Sequence, residues 1–268
     1  MKSSHMPSTE QSDVNITFSD KIIGVITEPF QFYERLAIIK PRYINWLAPI
    51  LILIAMSSVT NYLMMSNPVI VNQAVERQMA AVEASLNNAV TSGQLTRDAA
   101  DAQLDKIRES VEAQIGSGVL INLAAIFVMT FVLFFITTGV YFLITKFVLK
   151  GDGNYSTMLS AYGSTYYILI LQIIVMLIYA LATDNLISST SLAYFTGMDS
   201  KEFGGYLMSK VDPFSVWFHL IVGIAIAKMF KSANTVKYIL SVFGLWIGFS
   251  LLFFWAARQF PILQMFIQ

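Results

Sequence analysis

Few side chains in the apolar part of this chain are able to do chemistry. His219 lies in the apolar run 214–230, where an imidazole can relay protons. No intramembrane carboxylate or second histidine accompanies it, so a neutral histidine bonded to a neighbouring helix is the favoured interpretation. Asn122 and Gln172 also lie in apolar runs, and we expect their amides to form hydrogen bonds between helices.

The motifs of enzymes and metal sites are missing from the sequence. Ser164 has no partnered base, and HExxH, GxSxG, P-loop and dinucleotide fingerprints do not occur. The chain has no cysteine, which excludes disulfides and thiolate chemistry. The turn 151–154 lacks the remaining acidic positions of a calcium loop. The sequence therefore predicts a protein that is not an enzyme, has no catalytic residues, and binds neither metal nor cofactor.

The composition is that of a membrane protein. Of the residues, 56% are hydrophobic and only 13% are charged, and the mean hydropathy is +0.61. A typical soluble domain carries roughly 25% charged residues. The 17 basic and 17 acidic residues balance to a net charge of zero, so no overall basic field favours nucleic acid as a partner.

One stretch near the C-terminal end organises the rest of the chain. Two apolar runs, 214–230 and 236–255, flank a short turn that carries Lys228, Lys231 and Lys237. Roughly 20 apolar residues of helix are needed to cross a hydrocarbon core of about 30 Å. The stretch therefore predicts a helical hairpin that crosses a membrane and returns.

The same criteria give an all-α fold: a polytopic bundle of five transmembrane helices with an extramembrane antiparallel helical hairpin. The predicted segments are a disordered tail 1–14, a cytoplasmic interfacial segment with a short helix 15–45, transmembrane helices 46–65, 119–149, 158–182, 212–230 and 236–257, an extracytoplasmic helical hairpin 66–118, and an extracytoplasmic loop 183–211.

The extracytoplasmic hairpin is predicted from two amphipathic stripes on either side of the Ser92-Gly93 turn. Apolar residues recur at spacings of three and four, at positions 75, 79, 82, 86 and 89 and again at 100, 104, 107, 111 and 115. Mutual burial of the two stripes explains their apolarity, and a face that binds a protein partner is the alternative.

Lysines set the orientation expected for the spans. Lys146 and Lys150 mark one end of the second span, on the side of the turn that holds Lys228, Lys231 and Lys237. Because lysine and arginine are enriched in cytoplasmic loops, we expect the N-terminus inside and the C-terminus outside. These lysines act as topology determinants in the simplest interpretation. Contact with anionic lipid or with a protein is the alternative.

Glycine spacing also favours close helix packing in the last two spans. The patterns Gly223-x-x-x-Ala227 and Gly244-x-x-x-Gly248 both allow two helices to approach. Packing within the chain is the favoured interpretation, and a homo-oligomer is the alternative.

Two sequence segments resemble the Yip family of membrane proteins. One is the run EPFQFYERL at 28–36; the other is the pattern D-P-F-x-x-W-x-x-x-x-x-G that opens the fourth span. The residues of this pattern are Asp212, Pro213, Phe214, Trp217 and Gly223. Eukaryotic members of this family interact with Ypt/Rab GTPases. This chain lacks their Asp-Leu-Tyr-Gly-Pro run and carries the extra hairpin, so it is more similar to the bacterial branch. The resemblance implies an integral membrane protein, expected in the bacterial inner membrane, that acts in membrane organisation or trafficking.

Two classes of function stay open at this stage. The first is a non-enzymatic scaffold that contacts membrane lipids and binds a protein through the hairpin or the lysine turn. The second is a small-solute transporter or channel in which Asn122, Gln172, His219 and the tyrosines of the third span line a path. Transporters often contain internal repeats, and the absence of a convincing repeat favours the scaffold.

Overall fold

The computed structural model describes residues 16–117 and 119–260; the side chains of 112–123 and the predicted tail 1–14 lie outside the described part. All of its regular elements in that part are helices. They are α1 Phe18–Thr27, α2 Pro29–Ile38, α3 Ile44–Met65, α4 Pro68–Thr91, α5 Arg97–Ser117, α6 Val119–Leu143 with a π-helical extension Ile144–Val148, α7 Tyr155–Ser164, α8 Tyr166–Thr183, α9 Leu192–Thr196, α10 Phe203–Lys210, α11 Pro213–Met229 and α12 Thr235–Gln259.

Within 16–117 and 119–260, four helical stretches are long and apolar enough to cross a membrane. They are Ile44–Met65, Ala124–Val148, Tyr155–Thr183 and Thr235–Gln259. A fifth candidate is the pair α10 and α11, whose axes are bent by 59°. With 17 residues, α11 is about 25 Å long at 1.5 Å per residue. The all-helical membrane bundle predicted from the sequence is confirmed, with four or five spans.

α11 lies at the centre of this bundle. It packs against α2, α7, α8 and α12, and the run from Ile221 to Ala227 is buried throughout. α6 and α12 instead expose large apolar side chains, and Leu252 is 67% exposed. Such surfaces would be costly in water and are stable against lipid tails. The chain is therefore an integral membrane protein.

The third span is not one continuous helix. α7 ends at Ser164 and α8 begins at Tyr166, whereas the sequence predicts a single helix over 158–182. At the break, Thr165 Oγ1 donates to the Tyr162 carbonyl over 2.6 Å. Hydroxyls that bond back to their own helix bend it. Gly163 allows the bent segment to approach α3, since a Cβ there would lie 2.6 Å from Trp46 Cα.

The segment before the first span also differs from the prediction of one short interfacial helix. It forms two helices: Thr17 and Asp20 make a capping box at the start of α1, and Pro29 begins α2. Val25 and Phe32 are fully buried. Because these apolar side chains are enclosed by protein, α1 and α2 belong to the bundle.

The predicted hairpin is present as α4 and α5, which pack against each other. Asn67 caps α4 ahead of Pro68, as the Asn-Pro pair predicts. Met79, Ala100 and Val111 of the two stripes are buried. The stripes thus bury each other in the described part of the hairpin, which accounts for their apolarity.

The base of the hairpin is bonded to the loop that follows the third span. Asn67 Nδ2 donates to Asp184 Oδ1 over 2.6 Å. Gln73 Nε2 donates to the Asp184 carbonyl over 2.9 Å, and Gln73 Oε1 accepts from Leu186 N over 2.8 Å. The hairpin is consequently held at its root, while the loop that holds it also contains the short helices α9 and α10.

Candidate functional site

The aromatic segment before the first span packs against the fourth span. α2 lies on α11, and Phe32 and Tyr33 are fully buried. Gly24 allows α1 to approach α2, because a Cβ there would lie 2.7 Å from Phe32 Cδ2. The Tyr33 hydroxyl lies 3.1 Å from Ser164 Oγ, and burial raises the pKa of the Tyr33 phenol, so it stays neutral. The first segment that carries the family resemblance therefore packs on the helix that the second segment opens.

Lys228 joins α11 to α2 at the surface. Its Nζ lies 2.6 Å from Glu34 Oε1 and 5.5 Å from the centre of the Phe30 ring. The Glu34 side chain is 59% exposed, so the pair contributes at most about 1 kcal/mol. Lys228 therefore helps to orient α2 on the bundle.

The turn between the second and third spans packs against the end of α11. Asp152 N donates to the Phe230 carbonyl over 3.3 Å. A Cβ on Gly153 would lie 2.7 Å from the Phe230 ring, so only glycine fits without displacing that ring. Lys146 Nζ donates to the Gly153 carbonyl over 3.3 Å, and Lys150 has a φ of 58°. The turn is held in one conformation, with its lysines beside the 228–237 turn.

We call the surface formed by these two turns the basic face. Its members are Lys146, Lys150, Lys228, Lys231 and Lys237. A cavity of about 550 Å³ lies beside it, with Lys40, Asn154, Asp152 and Lys231 among its lining residues. In the described ranges, Lys228 is the only member with an ion pair. The same ranges hold no cluster of metal-ligating side chains.

At the opposite end of α11, Asp212 is the centre of a buried polar network. It accepts from Phe214 N over 3.1 Å as the helix cap, and from Ser215 Oγ over 2.7 Å. Thr190 Oγ1 donates to it over 2.7 Å, and Gln172 Nε2 lies 3.3 Å from its Oδ2. The carboxylate is 6% exposed. Asp212 therefore caps α11 and also joins α8 and the outer loop to it, and the partners of Gln172 are Thr190 of that loop, over 2.9 Å, and Asp212.

The remaining motif residues support the same helix start and helix packing. Pro213 occupies the first position of α11, and Phe214 and Trp217 pack on the core with ring centres 6.4 Å apart. A Cβ on Gly223 would lie 2.6 Å from Ile239 Cα of α12. The first glycine pattern thus packs within the chain, as predicted.

The second glycine pattern does not pack as predicted. A Cβ on Gly244 or Gly248 would meet no described heavy atom within 4 Å. The reason is that α12 turns this face away from α11, so the small residues meet no neighbouring helix of the described chain.

His219 makes its hydrogen bond within its own helix and not to a neighbour. Its Nδ1 lies 2.7 Å from the Ser215 carbonyl oxygen. The contact with the neighbouring helix is a stack: the ring lies 4.1 Å from Trp246, at 14° between the planes. The side chain of Asn122, the third polar residue expected in the membrane, lies outside the described residues.

Sequence reasoning missed several residues that build these sites. Thr190 and Ser215 complete the Asp212 network, and Glu34 pairs with Lys228. Their sequence neighbourhoods give no periodic signal. The sequence predicts a turn at Gly151 and Gly153. It does not predict their contact with Phe230, which lies nearly 80 positions away in the chain.

No family model, curated protein or solved structure matches this chain. The resemblance of these two segments to the Yip family accordingly stays a prediction from the sequence.

Proposed function

We propose that this integral membrane protein is a non-enzymatic scaffold or adaptor in membrane organisation or trafficking, as its resemblance to the Yip family implies. It resides in a bacterial inner membrane with the N-terminus in the cytoplasm and the C-terminus outside. The basic face is then cytoplasmic, where it meets anionic lipid headgroups and an acidic surface of a partner. The α4–α5 hairpin projects on the other side and offers a second surface for a partner.

The support for this proposal is the way in which the basic face is built. Its two lysine turns are fixed against each other by the Asp152–Phe230 backbone hydrogen bond and by the tight contact of Gly153 with the Phe230 ring. A topology signal requires only that lysine or arginine be present in a loop, whatever the conformation of that loop. A recognition surface benefits from turns whose backbone is already fixed, because less ordering entropy is lost on binding.

The proposal is tested by photocrosslinking from both surfaces in native membranes. A photoreactive amino acid replaces Lys231 on the basic face or Glu83 on the hairpin; Leu252, which faces lipid, is the control position. We expect a reproducible protein adduct from Lys231 or Glu83 that Leu252 does not give. Replacement of Lys146, Lys150 and Lys237 by Gln should weaken the Lys231 adduct. If both surfaces give only lipid and self-adducts, the scaffold function is wrong.

The orientation has an independent test, since the native chain lacks cysteine and gives no labelling background. Ala233→Cys places a thiol in the 228–237 turn and Ser92→Cys places one at the hairpin tip; both positions are exposed. With a membrane-impermeant maleimide applied to spheroplasts, we expect Ser92→Cys to react at once and Ala233→Cys only after lysis. The reverse pattern would invert the topology.

The alternative function is a small-solute transporter or channel. Two of the residues expected to line its path are bonded within the protein: Gln172 bonds to Thr190 and Asp212, and His219 bonds to the Ser215 carbonyl and stacks on Trp246. This engagement of both side chains favours the scaffold. Solute flux into proteoliposomes that His219→Ala abolishes would favour the transporter instead.

A further inference from the structure

A groove runs between the second and fifth spans, away from the basic face. Its volume is about 330 Å³, which is at the lower end of the range for ligand pockets. α6 contributes Ile136 and Val140 to one wall, α12 contributes Leu245, Trp246 and Phe249 to the other, and α11 contributes His219. The lining is mostly apolar.

The groove is open towards the lipid. Ile136 on one wall is 59% exposed and Phe249 on the other is 56% exposed. Both belong to spans whose outward faces are apolar. A molecule that enters between α6 and α12 therefore comes from the bilayer and keeps an apolar chain in contact with it.

The polar end of the groove presents a hydrogen-bond acceptor. His219 Nδ1 lies 2.7 Å from a backbone carbonyl, which can only accept, so Nδ1 carries the proton. Nε2 of the neutral ring then has a free lone pair, and among the described residues no donor reaches it. Stacking on Trp246 and the edge contact with Phe218 hold the ring in this position. The site is thus built to receive an O–H or N–H group.

Depth excludes a charged headgroup at this acceptor. His219 is the seventh residue of α11, about 9 Å along the helix from its start. A phosphate or ammonium group at that depth would lose its hydration, and a neutral imidazole offers no opposite charge to offset the cost. A hydroxyl group carries no such penalty and supplies the missing donor.

We propose that this groove binds a neutral membrane lipid with a free hydroxyl group, whose O–H donates to His219 Nε2 while its chain lies between α6 and α12. The long-chain alcohols, diacylglycerols and polyprenols share this chemistry. The site is independent of the scaffold function, because it uses none of the basic face and none of the hairpin.

Two photoactivatable probes test the proposal on the full-length protein in phosphatidylcholine vesicles. One is hexadecanol with a diazirine in its chain, and the other is the methyl ether of the same molecule, which lacks only the O–H. Crosslinked peptides are mapped by mass spectrometry. We expect the alcohol to label the α12 segment with Leu245 and Phe249 about fivefold more than the ether, the effect of one hydrogen bond of about 1 kcal/mol.

Variants separate the acceptor from the groove itself. His219→Phe keeps a flat ring and should equalise the two probes, while His219→Gln restores an acceptor and part of the preference. Val140→Trp fills the groove and should reduce labelling by both probes. Ile178→Phe, on the exposed face of α8, should change neither.

The outcomes decide the proposal in either direction. Equal labelling of the native groove by alcohol and ether would overturn it, as would an alcohol preference that survives in folded His219→Phe. If His219→Phe does not fold, the labelling of Val140→Trp is the test, because this variant keeps the His219 acceptor. Unchanged labelling of α12 in Val140→Trp would show that the lipid lies outside the groove.

Discussion

Lys228 Nζ lies 2.6 Å from Glu34 Oε1, and this pair joins residues that are 194 positions apart. The contact marks where α2 docks on α11. Beneath it, the buried ring of Tyr33 reaches Ser164 at the break of the third span. The exposed ion pair orients the docked helix, while the buried aromatic side chains supply the stability.

Truncation of Tyr33 should therefore cost far more than removal of the ion pair. We expect Tyr33→Ala to lower the free energy of unfolding by about 3–5 kcal/mol through the cavity it leaves. Glu34→Gln should cost at most about 1 kcal/mol. Thermal unfolding in detergent measures both, with the exposed Glu28→Gln as control. Equal effects of Tyr33→Ala and Glu28→Gln would contradict the docking of α2.

Substitution of alanine for two glycines of similar sequence context should change the stability of the protein differently. Gly223→Ala places a Cβ 2.6 Å from Ile239 Cα, and we expect a loss of about 1–3 kcal/mol from overpacking. Gly244→Ala meets open space and should be neutral or stabilise α12 by up to about 1 kcal/mol. Denaturation in mixed micelles compares the pair. A destabilised Gly244→Ala would reveal a neighbour on that face, such as a second copy of the chain.

Removal of Asp212 should lower the free energy of unfolding by more than removal of an ordinary helix cap does. A cap alone is worth about 1 kcal/mol. Asp212→Ala also leaves the Thr190 and Ser215 hydroxyls without their acceptor at a partly buried site, which adds about 1–3 kcal/mol. We expect a total of about 2–4 kcal/mol, measured by chemical denaturation against the exposed control Asp105→Ala. If the free energy of unfolding falls by only about 1 kcal/mol or less, Asp212 acts as a helix cap alone.

Gln73 should control the root of the outer hairpin. Its side chain accepts from Leu186 N and donates to the Asp184 carbonyl. We expect Gln73→Ala to speed hydrogen exchange at the Leu186 amide by about tenfold or less, the range of one hydrogen bond. Gln78→Ala, exposed on the same helix, is the matched control. Unchanged exchange at the Leu186 amide would show that Gln73 does not hold the hairpin to the loop.

The sequence alone determined the helices, the apolar spans and several helix starts. The length of an apolar run and the Asn67-Pro68 and Asp212-Pro213 pairs are local properties, so they could be recognised without any knowledge of neighbours. The mutual burial of the hairpin stripes was predictable for the same reason, because both stripes lie close together in the chain.

The tertiary structure decided which apolar helix is buried and which polar groups meet. α11 and α6 are both predominantly apolar, yet the run 221–227 of α11 is buried throughout, whereas α6 exposes many large apolar side chains. Lipid tails are as apolar as leucine, so hydrophobicity does not distinguish a lipid-facing helix from a central one. The docking of α2, the Asp212 network and the stacking of His219 on Trp246 depend on contacts between distant segments. Only the packed bundle brings those segments together.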